Sequence, residues 1–337
     1  MNPFKASSLG WSVVIFLSLA TFSVAGELVI QPVDYLEEMF DSENVLSKAF
    51  GDSSHCEPAC QIFDGCERPM FLSDHCFDNF IGPMTNPVLS KDARSLTEAR
   101  VLFVQNKIDP QHPFGSGDFQ AYGLQLRLAL TERLTFIADK DGYAKISPAI
   151  GSDVDGALNV AAGLKYAFIR DVENQFLLTG GFMYEIPMGS GDVFQDHGDG
   201  IFSFFASTGK EFCGTTHWLN TVGYQVPVDG DAHSSFVYWS THLDRQFGGW
   251  FYPMIEANWF HWVSSGDRGL PAALGEGDGL INLGTSGVTG NDLVTVAIGA
   301  KAKLSSHVEF GGAWELPVSP RHDLLNNRLT ADLIFRY

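Results

Sequence analysis

Basic residues and long apolar runs are both scarce in this chain. It has 21 Lys and Arg against 40 Asp and Glu, which gives a formal net charge of −19. Nucleic-acid binding needs clustered basic residues, so this balance argues against it and favours cations or a strongly hydrated surface. Beyond residue 25, no run of about twenty apolar residues occurs, so helices that span a membrane are not expected.

The first 25 residues have the features of a cleaved export signal. Lys5 provides a positive start, residues 11–20 are apolar, and residues 23–25 place small side chains before Gly26. The alternative, a retained anchor, is disfavoured because the apolar stretch is too short to span a bilayer comfortably. We therefore predict a signal peptide at residues 1–25, and the loss of Lys5 changes the formal charge from −19 to −20.

Residues 26–95 form a cysteine-rich segment. The chain has five cysteines, and an exported protein folds in an oxidising compartment, so two disulfides are predicted here. The candidates are Cys56, Cys60, Cys66 and Cys76. A metal site flanked by His55 and His75 is the alternative, but the cysteine spacing matches no zinc signature. We predict no metal and no cofactor, and Cys213 leaves the cysteine count odd.

The role of this segment stays open on sequence grounds. Residues 33–50 carry apolar side chains at spacings that fit a short amphipathic helix. The segment can serve as a periplasmic appendage, as a plug inside a barrel or as a partner-binding element. The sequence does not distinguish these three roles.

From residue 96 onward the sequence alternates with the period of two that is typical of β-strands. Leu124 and Leu126 share one face of a strand, while Gln125 and Arg127 share the other. Together with 27 Phe and 35 Gly, this pattern predicts an all-β protein. The predicted strands are residues 98–106, 119–130, 134–140, 157–169, 175–187, 201–208, 216–225, 236–244, 250–262, 292–304, 308–317 and 328–337.

The connections between these strands alternate between long and short. The long ones are residues 107–118, 141–156, 188–200, 226–235, 263–291 and 318–327, and the short ones are residues 131–133, 170–174, 209–215, 245–249 and 305–307. A transmembrane barrel needs short periplasmic turns and longer external loops, whereas a soluble sandwich does not. We therefore predict an antiparallel up-and-down transmembrane β-barrel of about twelve strands in the outer membrane, over residues 96–337.

The last strand carries a predicted assembly signal. One face includes Leu329, Leu333, Phe335 and Tyr337, and the sequence stops on this aromatic residue. This resembles the carboxy-terminal signal that the barrel assembly machinery reads, although Phe is the usual final residue. The assembly machinery is therefore a predicted partner.

Aromatic residues are dense at the predicted strand ends. They cluster at residues 218–224, 236–239, 250–252 and 259–262. Aromatic rings sit well at the headgroup level of a bilayer, so we predict interfacial girdles there and outer-membrane lipids as partners.

Three stretches resemble a known family of outer-membrane proteins. They are residues 129–136 (ALTERLTF), 155–168 (DGALNVAAGLKYAF) and 182–192 (FMYEIPMGSGD). Together they are similar to the transporter family named for the meta-pathway of phenol degradation, over about residues 96–337. The family's Gly-Asp before the fourth strand stands here as Asp155-Gly156. The resemblance implies a barrel and uptake of small, often hydrophobic molecules, and it carries no catalytic residue.

Polar faces of the predicted strands should point into the lumen, because a charge facing lipid costs about 2–4 kcal/mol near mid-bilayer. These side chains form either a polar path that selects solutes or a set of salt bridges that fills a narrow barrel. The predicted lumen-lining residues are Gln125, Arg127, Lys165, Glu185, Glu256, Asn258, Lys301, Lys303, Glu309, Glu315 and Arg328.

These features predict an outer-membrane channel or transporter for small hydrophobic or cationic solutes. A structural, anchoring barrel and, less favoured, an outer-membrane lipid hydrolase are the alternatives. Ser240, His242 and His261 are the candidates for hydrolysis, but no motif brings them within the roughly 3 Å that catalysis needs. The long loops are acidic, for example at Glu276 and Asp278, and we expect these charges to be solvated rather than to bind Ca²⁺.

Overall fold

The computed structural model describes residues 71–337 of the chain. Among these residues no helix is long and apolar enough to cross a membrane. Three short 3-10 turns occur in the same range, at His75–Phe77, Gly191–Val193 and Ala272–Leu274. The strands are β1 (Glu98–Ile108), β2 (Gly117–Ala129), β3 (Leu134–Lys140), β4 (Tyr143–Pro148), β5 (Val154–Ala157), β6 (Val160–Asp171), β7 (Phe176–Ile186), β8 (Ile201–Phe212), β9 (Thr216–Pro227), β10 (Ser235–Arg245), β11 (Phe251–Ser264), β12 (Asp292–Lys303), β13 (Val308–Pro317) and β14 (Asn327–Arg336).

The sheet closes on itself. From β6 to β14 each strand pairs antiparallel with the next, and β1 pairs with both β14 and β2. Strand β2 pairs with β4 along residues 117–122 and with β3 along residues 126–129, so β3 and β4 together act as one barrel strand. Strands β5 and β6 together form the next barrel strand in the same way, because β5 pairs with β4 and β6 pairs with β3. The wall is therefore a closed antiparallel barrel of twelve strands, which confirms the predicted fold class.

One predicted connection is wrong. Residues 141–156 were expected to form a long loop, but β4 and β5 occupy most of that range and leave a loop of only residues 149–153 between them. The strand pattern is interrupted at Gly142, which has a φ of +115° and where a Cβ atom would lie 2.0 Å from the Tyr122 carbonyl oxygen. The side chain of the preceding Asp141 accepts a backbone N–H of β2 at 2.8 Å and so replaces the missing ladder bond.

The two faces of the wall differ as in a membrane protein. Leu124 and Leu126 are 43% and 44% exposed on the outside, whereas Gln125 and Arg127 are buried inside. The short turns and Tyr337 lie at one end of the barrel, which we call the periplasmic end, and the longer connections lie at the external end.

The expected aromatic girdles are only partly correct. Trp218, Trp239 and Trp250 are exposed on the outer face, as a girdle requires. The same clusters also contain rings that are buried inside the barrel, namely Phe236, Tyr238, Tyr252, Phe260 and Trp262. Alternation places every second residue inward, and much of the interior at the external end is apolar, so most of these rings join its core.

Candidate functional site

The lumen contains a chain segment that belongs to none of the wall strands. Residues 73–97, which we call the plug, run up from the periplasmic end and return to it. At that end the Ser73 N–H donates to the Tyr337 carbonyl at 3.3 Å, and the Tyr337 N–H donates to the Thr97 carbonyl at 2.9 Å. The plug reverses at Asn86, whose carbonyl accepts two backbone N–H groups of the following turn. Two passes of chain therefore occupy the interior.

Glu256 of β11 holds the plug near its apex. One carboxylate oxygen accepts the Met84 N–H at 2.8 Å, and the other accepts the Thr85 N–H at 2.7 Å together with the Thr85 hydroxyl. His242 contacts the same carboxylate through Nδ1 at 2.6 Å and Asp244 through Nε2 at 3.0 Å. Both ring nitrogens face carboxylate oxygens, so only the imidazolium form donates to both. His242 thus fixes the orientation of the carboxylate that binds the plug.

Basic residues of β6 bind the two arms of the plug. Lys165 donates to the carbonyl oxygens of Asp92 and Arg94, each at 2.6 Å. Arg170 forms two hydrogen bonds of 2.8 Å with the Asp74 carboxylate. These contacts hold the plug through its backbone as well as through its side chains.

Further contacts come from other parts of the wall. Lys91 of the plug pairs with Asp139 of β3 at 2.8 Å, and both side chains are almost fully buried. The Asn86 amide donates to the Ser240 hydroxyl at 2.9 Å. At the periplasmic end, Phe77 and other apolar plug residues pack in a cluster with side chains of β7 and β9. The plug is therefore anchored to strands on several sides of the barrel.

All of the predicted lumen-lining residues lie on the inner face, and only Lys303 among them is not fully buried. Most of the others pair within the wall. For example, Lys301 binds Asp332 at 2.9 Å and Glu185 binds Lys140 at 2.6 Å. The interior is therefore both polar and extensively ion-paired. The predicted residues that contact the plug are Gln125, Lys165, Glu256, Asn258 and Lys303.

Several inner charges were missed in the sequence. Four of them lie on β1 and β14, where Arg336 bridges two acids, Glu98 at 2.9 Å and Glu309 at 2.6 Å. These four residues occupy inward-facing positions of the period-two alternation, so the alternation alone would have identified them. No periodic pattern, in contrast, marks the plug. The missed residues on β1 and β14 are Glu98, Arg100, Asp332 and Arg336, and Asp139 of β3 and Asp244 of β10 were missed as well.

The external mouth is covered by the connection between β11 and β12. We call residues 265–291 the cover. It contributes buried side chains to the main apolar core, among them Leu280, Ile281 and Leu283. Other external connections hold it across the mouth, because the Leu274 carbonyl meets His112 Nε2 at 2.8 Å and the Leu280 carbonyl accepts from Gln195 at 3.4 Å.

Two acidic residues of the cover, Glu276 and Asp278, are not solvated, which corrects the expectation from sequence for them, whereas Asp267 of the cover is exposed as expected. Glu276 is buried, and it accepts hydrogen bonds from Ser234, Leu283 and Thr285. Burial nevertheless raises the pKa of Glu276, against the opposing effect of these hydrogen bonds. Asp278 is also buried, and it pairs with Arg328 of β14. These acids are part of the closure of the mouth.

The cover and the plug meet inside the barrel. Gly279 has a φ of +96°, and a Cβ atom there would lie 2.7 Å from the Leu89 side chain of the plug. Glycine is needed for this conformation and this close approach. The plug and the cover therefore occupy the lumen and its external mouth in succession.

The structure does not bring the candidate hydrolase residues together. Ser240 faces inward and contacts Asn86 of the plug, and His242 lies between two carboxylates. His261 lies on the outer face beside Asp292. These three residues therefore do not form a nucleophile with an adjacent base.

The cysteine and signal predictions stay predictions. Residues 1–25, Cys56, Cys60 and Cys66 lie outside the described residues. Cys76 lies in the 3-10 turn near the periplasmic end of the plug, and Cys213 is exposed in the turn between β8 and β9. In β14, Leu329 and Phe335 are exposed on the outer face.

No protein-family model and no curated protein matches the chain. Among solved structures, the chain is similar to the COG4313 outer membrane channel from Pseudomonas putida F1. That match has 12% identity and a TM-score of 0.53, and it covers 77% of this chain and 100% of the other. The NanC porin, at 7% identity and a TM-score of 0.44, matches over 72% of this chain and 100% of its own. For the KdgM porin the identity is 9%, the TM-score is 0.41, and the coverage is 71% and 99%.

At these identities the likeness concerns the fold. The closed wall of twelve strands satisfies its backbone hydrogen bonds internally, and its outer surface is apolar. A closed barrel is the form in which β-structure spans a bilayer. The chain is an outer-membrane β-barrel, as its sequence predicted.

Proposed function

We propose that this protein is an outer-membrane channel for small solutes, held closed by the plug and the cover. The observation that carries the proposal is the separate plug. A barrel of about eight strands is filled by its own side chains, whereas a wider one encloses space. Here that space is occupied by residues 73–97, a segment that can leave without breaking any pairing between wall strands.

The expected opening is small. Two passes of polypeptide side by side occupy roughly 10 Å in each direction, given the usual spacing of packed chains. Withdrawal of the plug would leave a path of about that width, lined by polar side chains. Such a path suits molecules of the size of a metabolite and excludes folded proteins.

The solute class is part of the proposal. Residues 129–192 carry the resemblance to the phenol meta-pathway family, and we propose that the chain belongs to that group and takes small, partly hydrophobic solutes. The P. putida protein of similar fold is itself an outer-membrane channel, which supports the proposal.

A structural, anchoring barrel is the second candidate. The extensive ion pairing inside favours it, because Arg127, for example, is shared between Glu98 and Asp139 at 2.6 and 3.2 Å. Removing one member of such a buried network costs several kcal/mol, so a network that never opens is also a stable arrangement.

Planar-bilayer recording and liposome uptake separate these candidates. We expect the intact protein to be silent or to open rarely. A variant with a weakened plug should give stable conductance steps and admit small sugars or alcohols into liposomes. Silence of both proteins, with no uptake, would favour an anchoring barrel, and release of fatty acids from the same liposomes would instead support a lipid hydrolase.

A further inference from the structure

A cleft lies at the external mouth, between the cover and the barrel wall. It is narrow and partly open to solvent. Most of its lining is apolar, and it comes from strands of the wall, the cover and the connection between β13 and β14. The apolar residues include Ile108, Phe119, Ile146, Leu280, Leu293 and Leu324.

Polar atoms without a partner belong to this cleft. Oδ1 of Asn106, Oδ2 of Asp323 and Nε of Arg328 have no hydrogen-bond partner within residues 71–337. The three residues line the cleft, and they are only 2%, 9% and 4% exposed. Buried polar atoms are nearly always hydrogen-bonded, so three exceptions around one cleft need an explanation.

The other polar groups beside the cleft are satisfied. His322 contacts Asp109 at 2.9 Å, and Glu276 accepts several hydrogen bonds from the cover and from Ser234. Twelve buried side-chain atoms in residues 71–337 have no hydrogen-bond partner, and these three are the ones whose residues line the cleft. They are what a bound molecule with its own hydrogen-bonding group would complete.

We propose that the cleft binds a small neutral molecule with an apolar body and one hydroxyl group. A hydroxyl both donates and accepts, so it can donate to one of the unpartnered oxygens and accept from Arg328 Nε. The apolar body would replace water against the apolar walls, as in ligand pockets generally. This inference rests on the proposed function, because it identifies the solute that a channel of this kind would take up first at its external mouth.

Charge complementarity argues for a neutral ligand. An anion would face the carboxylates of Glu276, Asp278 and Asp323, which line the same cleft. A cation would lie beside Arg328, whose charge already interacts with Asp278 and with Glu315 at 3.5 Å. Either charge would also lose its water against apolar walls, which is costly without a full set of partners.

The cleft also adjoins the ion pair that joins the cover to the barrel wall. Asp278 of the cover and Arg328 of β14 form an ion pair, and both residues line the cleft. A hydroxyl that accepts from Arg328 therefore lies next to the contact that ties the cover to the wall.

Ligand-detected NMR tests this site on the intact protein. The full chain is placed in lipid nanodiscs, and saturation-transfer difference signals are recorded for cyclohexanol, with empty nanodiscs as the blank. Cyclohexanone, methylcyclohexane and cyclohexylamine are matched probes that respectively lack the donor, lack the polar group and carry a positive charge. Benzyl alcohol shows whether an aromatic or an aliphatic body is preferred. We expect saturable binding of the alcohols above the blank and weaker binding of the other three.

Asp323→Asn changes the shape of the side chain little but removes its charge. Depending on how the amide is oriented, the unpartnered Oδ2 is replaced either by an uncharged oxygen or by an NH₂ group. We expect this substitution to weaken alcohol binding roughly three- to tenfold, the usual contribution of one hydrogen bond. Asp292→Asn is the control for the loss of one carboxylate near the external mouth, because Asp292 lies at the external end of β12 but outside the cleft and contacts Trp259 and His261. Heat-dependent gel mobility confirms that both variants are folded.

Equal signals from the alcohol and from methylcyclohexane, or equal effects of the two variants, would overturn the site. Stronger binding of cyclohexylamine would overturn the neutral class. Failure of this inference is distinguishable from failure of the channel proposal. A weakened-plug variant that conducts while the cleft binds no alcohol would refute the site alone, and alcohol binding by a protein that never conducts would refute the channel alone.

Discussion

Replacement of Glu256 by Gln removes the charge that holds the apex of the plug. The carboxylate accepts hydrogen bonds from Met84, Thr85 and His242. Glutamine keeps the shape, but its single oxygen and its NH₂ group cannot accept from all of these donors. Hydrogen bonds to a charged group contribute about 1.5–3 kcal/mol each, whereas the ion pair of Glu256 with His242 lies within the wall and is present whether or not the plug is docked.

We therefore expect Glu256→Gln to weaken docking of the plug by about 1.5–3 kcal/mol, the contribution of one hydrogen bond to a charged group. Since about 1.4 kcal/mol is a factor of ten in an equilibrium constant, the open population should rise by roughly tenfold to a hundredfold. The assay is single-channel recording in a planar bilayer, in which the open probability of the variant is compared with that of the intact protein at the same voltage and salt.

Glu185→Gln is the matched control. Glu185 and Glu256 are each 5% exposed, and each substitution removes one negative charge. The contacts of Glu185, however, are with Lys140 and Asn159, which lie outside the plug. Both variants should still change gel mobility on heating, which shows that the barrel has folded. Equal open probabilities in the two variants, or no change in either, would refute the role of Glu256 as the anchor of the plug.

The contacts of the plug also predict the ion selectivity of the open barrel. When the plug leaves, Lys165 and Arg170 lose their partners while Glu256 keeps His242, so the reversal potential under a salt gradient should show a weak preference for anions. A clear cation preference, which the acidic loops and lumen acids of the sequence suggest, would contradict this argument. Burial raises the pKa of Glu276 above its ordinary 4.5, so its stabilising contribution to the docked cover is fully present below that value and is lost as the pH rises through the raised one. Amide exchange in the cover, corrected for the intrinsic rate, should therefore be slower at pH 5 than at pH 8, and the reverse order would refute the sign. Thiol counting on the unreduced mature protein should find one free cysteine per chain, whereas four or five free thiols with bound zinc would overturn the disulfide prediction.

The barrel could be predicted because its sequence signal is local. Alternation such as Leu124, Gln125, Leu126 and Arg127 depends only on the pleat of a strand, and the wall keeps that pleat almost everywhere. The prediction failed at residues 141–156 because one irregularity at Gly142 interrupts the alternation. What looked like a loop is a pair of strands that resume beyond it.

The plug and the cover depend on contacts that a local pattern does not contain. Met84 meets Glu256 across 172 positions of sequence, and no periodicity in residues 73–97 indicates this partner. The sequence of the cover contains one signal from which its burial could have been predicted. Residues 280–283 are mostly apolar within an acidic, glycine-rich loop, and such a run is more consistent with burial than with a solvated loop.

The central claim, that the plug closes the lumen, is tested most directly by tying the plug to the wall. The Asn86 amide of the plug and the Ser240 hydroxyl of the wall are 2.9 Å apart, so Asn86→Cys and Ser240→Cys, introduced together in the Glu256→Gln background, are the pair of positions at which a disulfide would join the plug to the wall. Conductance is recorded in a single bilayer before and after a reductant is added. The Glu256→Gln variant without the added cysteines controls for any effect of the reductant on the native cysteines. We expect silence while the disulfide is intact and conductance steps after reduction. Equal conductance before and after reduction, with the disulfide shown to form, would contradict the claim.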